Sequence, residues 1–177
     1  MHLRKLNPTI LLALAALILS GSLSALSAAT LKLPQDHPVF VIDIPDGWTH
    51  ETDKNGIFVC TPEPTYSLQI FPLGDGTKTE IKSQLPEAAK SFAEKMKLTD
   101  VVIGDVEESK NENKIDFTGL RLDGNAAENK TALVLIFHAF QPTKGKWYVI
   151  LTVGSEASDK AHDEEYESIY DSIQTLK

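Results

Sequence analysis

TALVLIFHAFQPTKGKWYVILTV, residues 131–153, is the stretch that decides the fold. Every position from 132 to 137 is apolar, so a strand of these residues is hydrophobic on both faces and cannot lie against water. The segment QPTKG, residues 141–145, has the composition of a turn, and a second apolar run follows at residues 147–153. The pattern predicts a hairpin of two interior strands, joined by a loop of five residues or slightly fewer. A sheet that contains them needs cover on both faces.

The first candidate for that cover is an amphipathic segment in the middle of the chain. Its apolar residues recur at helical spacing and predict a helix over about residues 79–97, with an irregularity at Pro86. Two starts are compatible with this pattern. Thr77 and Glu80 can form a capping box, whereas an N-cap at Ser83 would place the proline in the tolerant first turn. The apolar stripe consists of Ile81, Leu85, Ala88, Ala89, Phe92, Ala93 and Met96.

A second amphipathic helix is predicted at the end of the chain. Ser158 is a suitable N-cap, and acidic residues follow in the first turns, where the helix dipole favours them. The apolar stripe of this helix consists of Tyr166, Ile169, Tyr170, Ile173 and Leu176. On the second strand of the hairpin, Trp147 and Tyr148 are neighbours and therefore point to opposite faces. Each is expected to lie under a different helix.

The remaining apolar runs are short and separated by turn residues, which is typical of strands. Asn55-Gly56 is a strong signal for a two-residue hairpin turn. Hairpin connections dominate, so the sheet is expected to be mainly antiparallel, with one helix on each face. The predicted fold class is α+β, an α/β/α sandwich of six to eight strands and two principal helices. The arms of the Asn55-Gly56 hairpin are expected at residues 48–51 and 57–61, and the other strands within residues 39–44, 66–73, 101–106 and 115–122.

The N-terminus has the pattern of a secretory signal peptide over residues 1–29. Basic residues precede an apolar run at 10–19, and Ser27-Ala28-Ala29 is a suitable cleavage site. The run is too short for a membrane anchor, so we expect export to the periplasm or outside the cell, without stable membrane insertion after cleavage. Cleavage would leave a single domain, residues 30–177. Residues 30–36 are interpreted as a stretch with few contacts.

Charge and cysteine content exclude some functions and leave others open. The 177-residue chain has a net charge of −8, and removing the signal peptide makes the charge more negative. Nucleic acids and anionic lipids both require a basic patch, so neither is expected as a partner. Cys60 is the single cysteine, which rules out an internal disulfide. It lies in an apolar run, which favours a buried thiol over an intermolecular disulfide.

Three segments together carry a resemblance to a known family. They are FVIDIPDGW at residues 40–48, WYV at 147–149 and YESIYDSIQTL at 166–176. In this order and spacing they resemble the PsbP-like family, which includes the PsbP subunit of photosystem II, a Ran-binding nuclear import factor and many exported bacterial proteins. The resemblance implies an α/β/α sandwich and a role as a non-enzymatic binding or assembly module. The sequence shows no thylakoid transit peptide and no nuclear context, so neither photosystem nor Ran binding is transferred.

Local motifs give little support for chemistry. Residues 74–79, GDGTKT, lack the glycine spacing of a phosphate-binding loop, and no two histidines have the spacing of a zinc motif. His138 shares a face with apolar neighbours on the first central strand, a pattern that is more typical of a core histidine than of a ligand. The acidic runs near residues 105–112 and 163–165 are typical of a solvated surface, with weak divalent-cation binding as the alternative. The sequence implies no cofactor, catalytic residue or metal ligand.

Two classes of function remain compatible with the sequence. The first is an exported non-enzymatic module, monomeric or weakly associating, that recognises a protein or envelope component through a sheet edge or the rim around Trp48. The second is a small-ligand carrier or small hydrolase with a pocket near the central strand, close to His138. Trp48, His138 and Trp147 are the candidate partner or pocket residues. Trp48 follows a Pro-Asp-Gly turn and can equally pack as a lid on the core edge.

Overall fold

The computed structural model describes residues 28–52 and 58–176, with residues 58–60 as backbone only. Its strands are β1 (Ala29–Leu33), β2 (Phe40–Ile44), β3 (Thr49–Thr52), β4 (Phe58–Glu63), β5 (Tyr66–Asp75), β6 (Leu98–Ile103), β7 (Glu107–Lys110), β8 (Asp116–Ala126), β9 (Ala132–Thr143), β10 (Lys146–Ser155) and β11 (Gln174–Thr175). Its helices are α1 (Lys78–Lys95), α2 (Glu156–Ala161) and α3 (Asp163–Ser172). The predicted signal peptide, the Asn55-Gly56 turn and the burial of Cys60 lie outside what the structure describes.

An antiparallel sheet of eight strands forms the centre of the fold. Its order is β3-β4-β5-β10-β9-β8-β6, and β7 pairs with β8 beyond the end of β6. β9 lies between β10 and β8, so the prediction of an interior strand is confirmed. The turn after β9 is shorter than predicted, because residues 141–143 continue the strand and Lys144-Gly145 alone connects it to β10. Gly145 has a φ of 84°, which glycine adopts without strain.

Both faces of the sheet are covered, and the α+β fold class predicted from the sequence is confirmed. On one face α1 packs its buried stripe against β8, β9 and β10. Trp147 lies in this cluster, as predicted. Tyr148 points to the opposite face, where its ring contacts Phe40 of β2 with centroids 5.3 Å apart. The prediction that a helix covers Tyr148 therefore overlooked the contribution of β2. On that face the cover is shared by α3 and a small second sheet.

The second sheet was missed by the sequence interpretation. It has the order β1-β2-β11 and is antiparallel, with Ala29 opposite Ile44 at one end of the β1 pairing. Residues 30–36 were expected to make few contacts, and this expectation is wrong for the part that forms β1. Leu33 is buried against the core, and the predicted cleavage point after Ala29 falls inside the strand. β11 has only two residues, too few to show a strand pattern in sequence.

The helix boundaries depend on their capping residues. Thr77 and Glu80 form the complete capping box at the start of α1, so of the two predicted starts the one at Thr77 is confirmed. Pro86 lies inside the helix. The last helix is divided in two at His162, and Ser155, not Ser158, is its N-cap. The hydroxyl of Ser155 accepts a hydrogen bond from the backbone N–H of Ser158 at 3.0 Å. In the described chain no helix is long and apolar enough to span a membrane.

Candidate functional site

Trp48 lies in the core on the α3 side of the sheet. It is 1% exposed, and its indole N–H donates a hydrogen bond to Glu165 of α3 at 3.3 Å. Its ring meets those of Tyr66 and His162 edge-on, with centroids 6.0 and 6.1 Å apart. The other side of His162 faces Glu63 of β4, with Nε2 3.7 Å from the carboxylate. Trp48 therefore joins α3 to the sheet and matches the lid interpretation, with its ring turned away from solvent.

His138 is held between β8 and α3. Its Nδ1 is hydrogen-bonded to the hydroxyl of Tyr166, which is buried, and its ring lies against those of Phe117 and Tyr170. Gly119 lies directly opposite on β8, and a Cβ placed there would come within 2.2 Å of the imidazole Cδ2. Burial lowers the pKa of His138 from 6.5 to about 4. The imidazole is therefore neutral at neutral pH, as expected for a core histidine.

The buried neutral state of His138 makes folding stability depend on pH. In the unfolded chain this imidazole takes up a proton near pH 6.5, whereas in the folded protein it does so only near pH 4. The stability is therefore complete above pH 6.5 and is lost as the pH falls towards 4. We expect the free energy of unfolding to decrease by roughly 2 kcal/mol from about pH 7 to about pH 4.5 through this group.

Urea unfolding at a series of pH values measures this decrease. The His138→Asn variant, which keeps a hydrogen-bonding side chain without the titration, is expected to show a flatter profile in the same interval. Parallel profiles for the two proteins would contradict the assignment. Below about pH 4.5 the carboxylates also titrate, so the comparison is confined to the higher range.

Trp147 lies in the core on the α1 side. It is 3% exposed, and its indole N–H donates to the backbone carbonyl of Gly76 at 2.9 Å. This hydrogen bond ties the start of α1 to the β9–β10 hairpin. The three residues suggested by sequence thus lie on two different faces and do not come together in one site. Each can influence a surface only through the elements that it holds in place.

An open pocket of about 200 Å³ lies at the start of β9. It borders the central strand, as the carrier alternative expected, but His138 is not among its lining residues. Three of its polar side chains already have partners. The Asp100 carboxylate accepts from the amide of Asn125 at 3.1 Å, and Asp123 is paired with Arg121 at 2.9 Å. Typical ligand pockets enclose about 300–1,000 Å³ and bury most of the ligand, so this one does not favour a carrier.

The edge formed by β6 carries the clearest surface feature of the described chain. β6 pairs with β8 on one side and with no described strand on the other. Val101 is 37% exposed and Val102 is 63% exposed, and Met96 at the end of α1 is 36% exposed. An edge strand offers unpaired backbone groups for pairing with another chain, and natural proteins usually protect such edges with charged residues. The two exposed valines make this edge a candidate binding surface.

A bulge limits this edge at its N-terminal end. The register of β6 against β8 shifts between Thr99 and Val102, and Asp100 has a φ of 54°. The Asp100 carboxylate accepts hydrogen bonds from the Asn125 amide and from the Thr99 hydroxyl, the second at 3.2 Å. These two hydrogen bonds lower the pKa of the carboxyl. Regular pairing of β6 with β8 consequently resumes at Val102. Sequence analysis placed a strand here, but apolar residues alone do not show that a strand lies at the edge of a sheet.

Comparison with known proteins identifies solved structures with a similar fold. No protein-family model matches the sequence, and no curated protein does. Among solved structures, the cyanobacterial PsbP, CyanoP, of Synechocystis sp. PCC 6803 matches with a TM-score of 0.58 at 13% identity, covering 89% of this chain and 97% of that one. This chain has a PsbP-like fold. The order of the local segments, and not overall sequence similarity, made the resemblance visible.

Other solved structures share the PsbP-like fold. LpqN of Mycobacterium tuberculosis, described as involved in cell envelope biogenesis, matches with a TM-score of 0.56 at 13% identity, covering 85% of this chain and 92% of that one. A protein from Bacteroides thetaiotaomicron matches with a TM-score of 0.57 at 14% identity, and the match covers 86% of this chain and half of that protein. At such identities the PsbP-like likeness concerns the fold alone.

No arrangement typical of a metal centre occurs in the described chain. Among the side chains of residues 28–52 and 61–176, no three His, Asp or Glu come together in a way that could hold a metal ion. Glu108, in one of the predicted acidic runs, is instead bound by Lys78 and Lys82 of α1 at 2.7 and 2.9 Å. These two lysines hold the pKa of its carboxyl at about 2. On the PsbP-like fold of this chain, the open edge of β6 is therefore the candidate site.

Proposed function

We propose that this protein is an exported, envelope-associated, non-enzymatic binding module that recognises a protein partner through the edge of β6. The exposure of Val101 and Val102 on a strand that has one edge without a described partner strand carries the proposal. Pairing with an extended segment of the partner would satisfy the open backbone groups and cover the valines. Export is supported by the signal-peptide pattern at residues 1–29, and envelope association by the fold shared with LpqN.

The geometry favours binding over catalysis. The buried His138–Tyr166 pair lies under α3. The open pocket at the start of β9 is small, and Asp100, Asp123 and Asn125 in its lining already have partners. An edge strand, in contrast, needs only a partner backbone to complete its hydrogen bonds. A protein partner fits this surface better than a small molecule, because the exposed groups lie along a line and do not converge.

Site-specific photo-crosslinking in the native host tests the proposal. A photoreactive phenylalanine analogue at Val102 is expected to form a covalent adduct of defined mass with a protein partner. The same probe at Lys144, exposed in the β9–β10 turn, serves as the matched control and is expected to give none. Adducts at position 144 but not at position 102 would place recognition elsewhere and contradict the proposal. Cell fractionation of the same cultures reports whether the protein is exported.

A further inference from the structure

The start of β1 is tied to the turn that precedes Trp48. β1 begins at Ala29, which lies opposite Ile44 of β2 in an antiparallel pair. One residue earlier, the backbone N–H of Ala28 donates a hydrogen bond to the carboxylate of Asp46. Asp46 is exposed, and within the described residues its carboxylate forms no ion pair. The fold thus uses the chain from Ala28 onwards and holds a negative charge beside the nitrogen of that residue.

The predicted export signal contains several bonds that fit cleavage. A signal peptidase requires small residues at the last and third-last positions of the segment that it removes. Ser27 and Ala29 meet this requirement for a cut after Ala29. Ala25 and Ser27 meet it for a cut between Ser27 and Ala28, and the small residues at 20, 22 and 24 allow still earlier cuts. The local pattern alone therefore does not select one bond.

The structure distinguishes these bonds. A cut after Ala29 falls inside β1, and it removes both the partner of Ile44 and the hydrogen bond between Ala28 and Asp46. The earlier cuts leave at least three residues before Ala28, so the new ammonium is not on the nitrogen that Asp46 binds. A cut after Ser27 keeps all of β1 and places the ammonium beside the carboxylate. The resulting charge-assisted hydrogen bond is stronger than one from an uncharged amide.

We propose that the exported chain is cleaved between Ser27 and Ala28, and that the new N-terminal ammonium of Ala28 forms an ion pair with Asp46. A membrane-bound peptidase of the export machinery adds water across this peptide bond, so that Ser27 leaves with the carboxylate and Ala28 keeps the nitrogen. An α-amino group is largely protonated at neutral pH. The ion pair then fastens the start of β1 to the turn before Trp48. This inference rests on the export that belongs to the proposed function, and it names the processing site.

Mass spectrometry of the N-terminal peptide, on protein produced as the full chain in its native host, identifies the cut. The first residue is expected to be Ala28. A protein that begins at Thr30, or at any residue before Ala28, would overturn the inference and leave export in place. A chain that keeps its first residues and stays in the cytoplasmic fraction would overturn both the inference and the proposed export.

Two leucine substitutions separate the neighbouring cuts. Ala25→Leu places a large side chain at the third-last position and is expected to abolish cleavage after Ser27. Ala29→Leu is the matched control, because it blocks a cut after residue 29 only, and this variant should still begin at Ala28. The reverse result, with processing lost in Ala29→Leu and retained in Ala25→Leu, would contradict the proposed site.

Hydrogen–deuterium exchange at β1 of the processed protein tests the ion pair. Asp46→Asn keeps a side-chain oxygen as acceptor and removes the charge. The β1 amides that pair with β2 are expected to exchange about threefold faster in this variant, because exposed ion pairs contribute little. Asp36→Asn removes an exposed acid from the β1–β2 connection and is expected to leave exchange unchanged. Equal exchange in the two variants would overturn the ion pair.

Discussion

Replacing Trp48 with alanine is expected to lower the free energy of unfolding by about 4 kcal/mol. The ring is 1% exposed and contacts Tyr66 of β5 and His162 at the start of α3, so its removal leaves a large cavity between β5 and α3. The Glu165 carboxylate also loses the indole N–H as a donor. Urea unfolding followed by circular dichroism measures the change. The magnitude is a large fraction of the stability of a domain of this size.

The matched variant Trp48→Phe separates packing from recognition. It keeps an aromatic ring and loses the hydrogen bond to Glu165, so a loss of about 1–2 kcal/mol is expected. Because the indole does not reach the surface, the folded variant should crosslink through Val102 as the unchanged protein does. If Trp48→Phe stays folded but loses its partner, then Trp48 acts in recognition directly, and the assignment to the core is wrong.

Replacing Gly119 with alanine is expected to destabilise the protein by about 3 kcal/mol. The new Cβ would come 2.2 Å from His138 Cδ2 and 2.8 Å from the backbone carbonyl of Phe137, both far inside normal contact. The backbones of two closely packed interior strands can move apart very little. The clash must therefore push the His138 imidazole away from its hydrogen-bond partner, Tyr166. The free energy of unfolding in urea measures the effect.

Gly124 offers a control on the same strand. A Cβ there would lie 3.4 Å from the nearest Leu98 atoms, close to ordinary contact, so Gly124→Ala should cost less than about 1 kcal/mol. The double variant Gly119→Ala/His138→Ala should cost less than the sum of the single changes, because it removes the ring that clashes, although the Phe137 carbonyl remains. Equal costs at the two glycines would show that the close approach of His138 is not what requires Gly119.

The parts of the fold that follow from continuous or periodic patterns could be predicted from the sequence. Residues 132–137 are apolar without interruption, and β9 is an interior strand. The stripe that begins at Ile81 and the capping box at Thr77 predicted α1 closely. In each case a local rule and the tertiary structure agree. The order of the three resemblance segments then indicated the fold correctly.

Other parts depend on contacts that are distant in sequence. β11 is two residues long and forms only because β2 is available to pair with it. The last helix is divided at His162, and the side chain of this residue contacts Glu165 and Glu63. Nothing in the local sequence reports these partners. The same limit applies to the candidate site, since the position of β6 at the edge is a property of the whole sheet.

Hydrogen–deuterium exchange at β6 is the most direct test of the binding edge. The amides of residues 101–103 are measured in dilute protein, in concentrated protein and in dilute protein mixed with extract of the host envelope. Exchange is expected to slow by at least about tenfold in one of the last two samples, because pairing protects edge amides. Amides of β3, at the opposite edge of the sheet, should not change. Unchanged exchange at β6 in both samples would show that this edge is not where the protein binds.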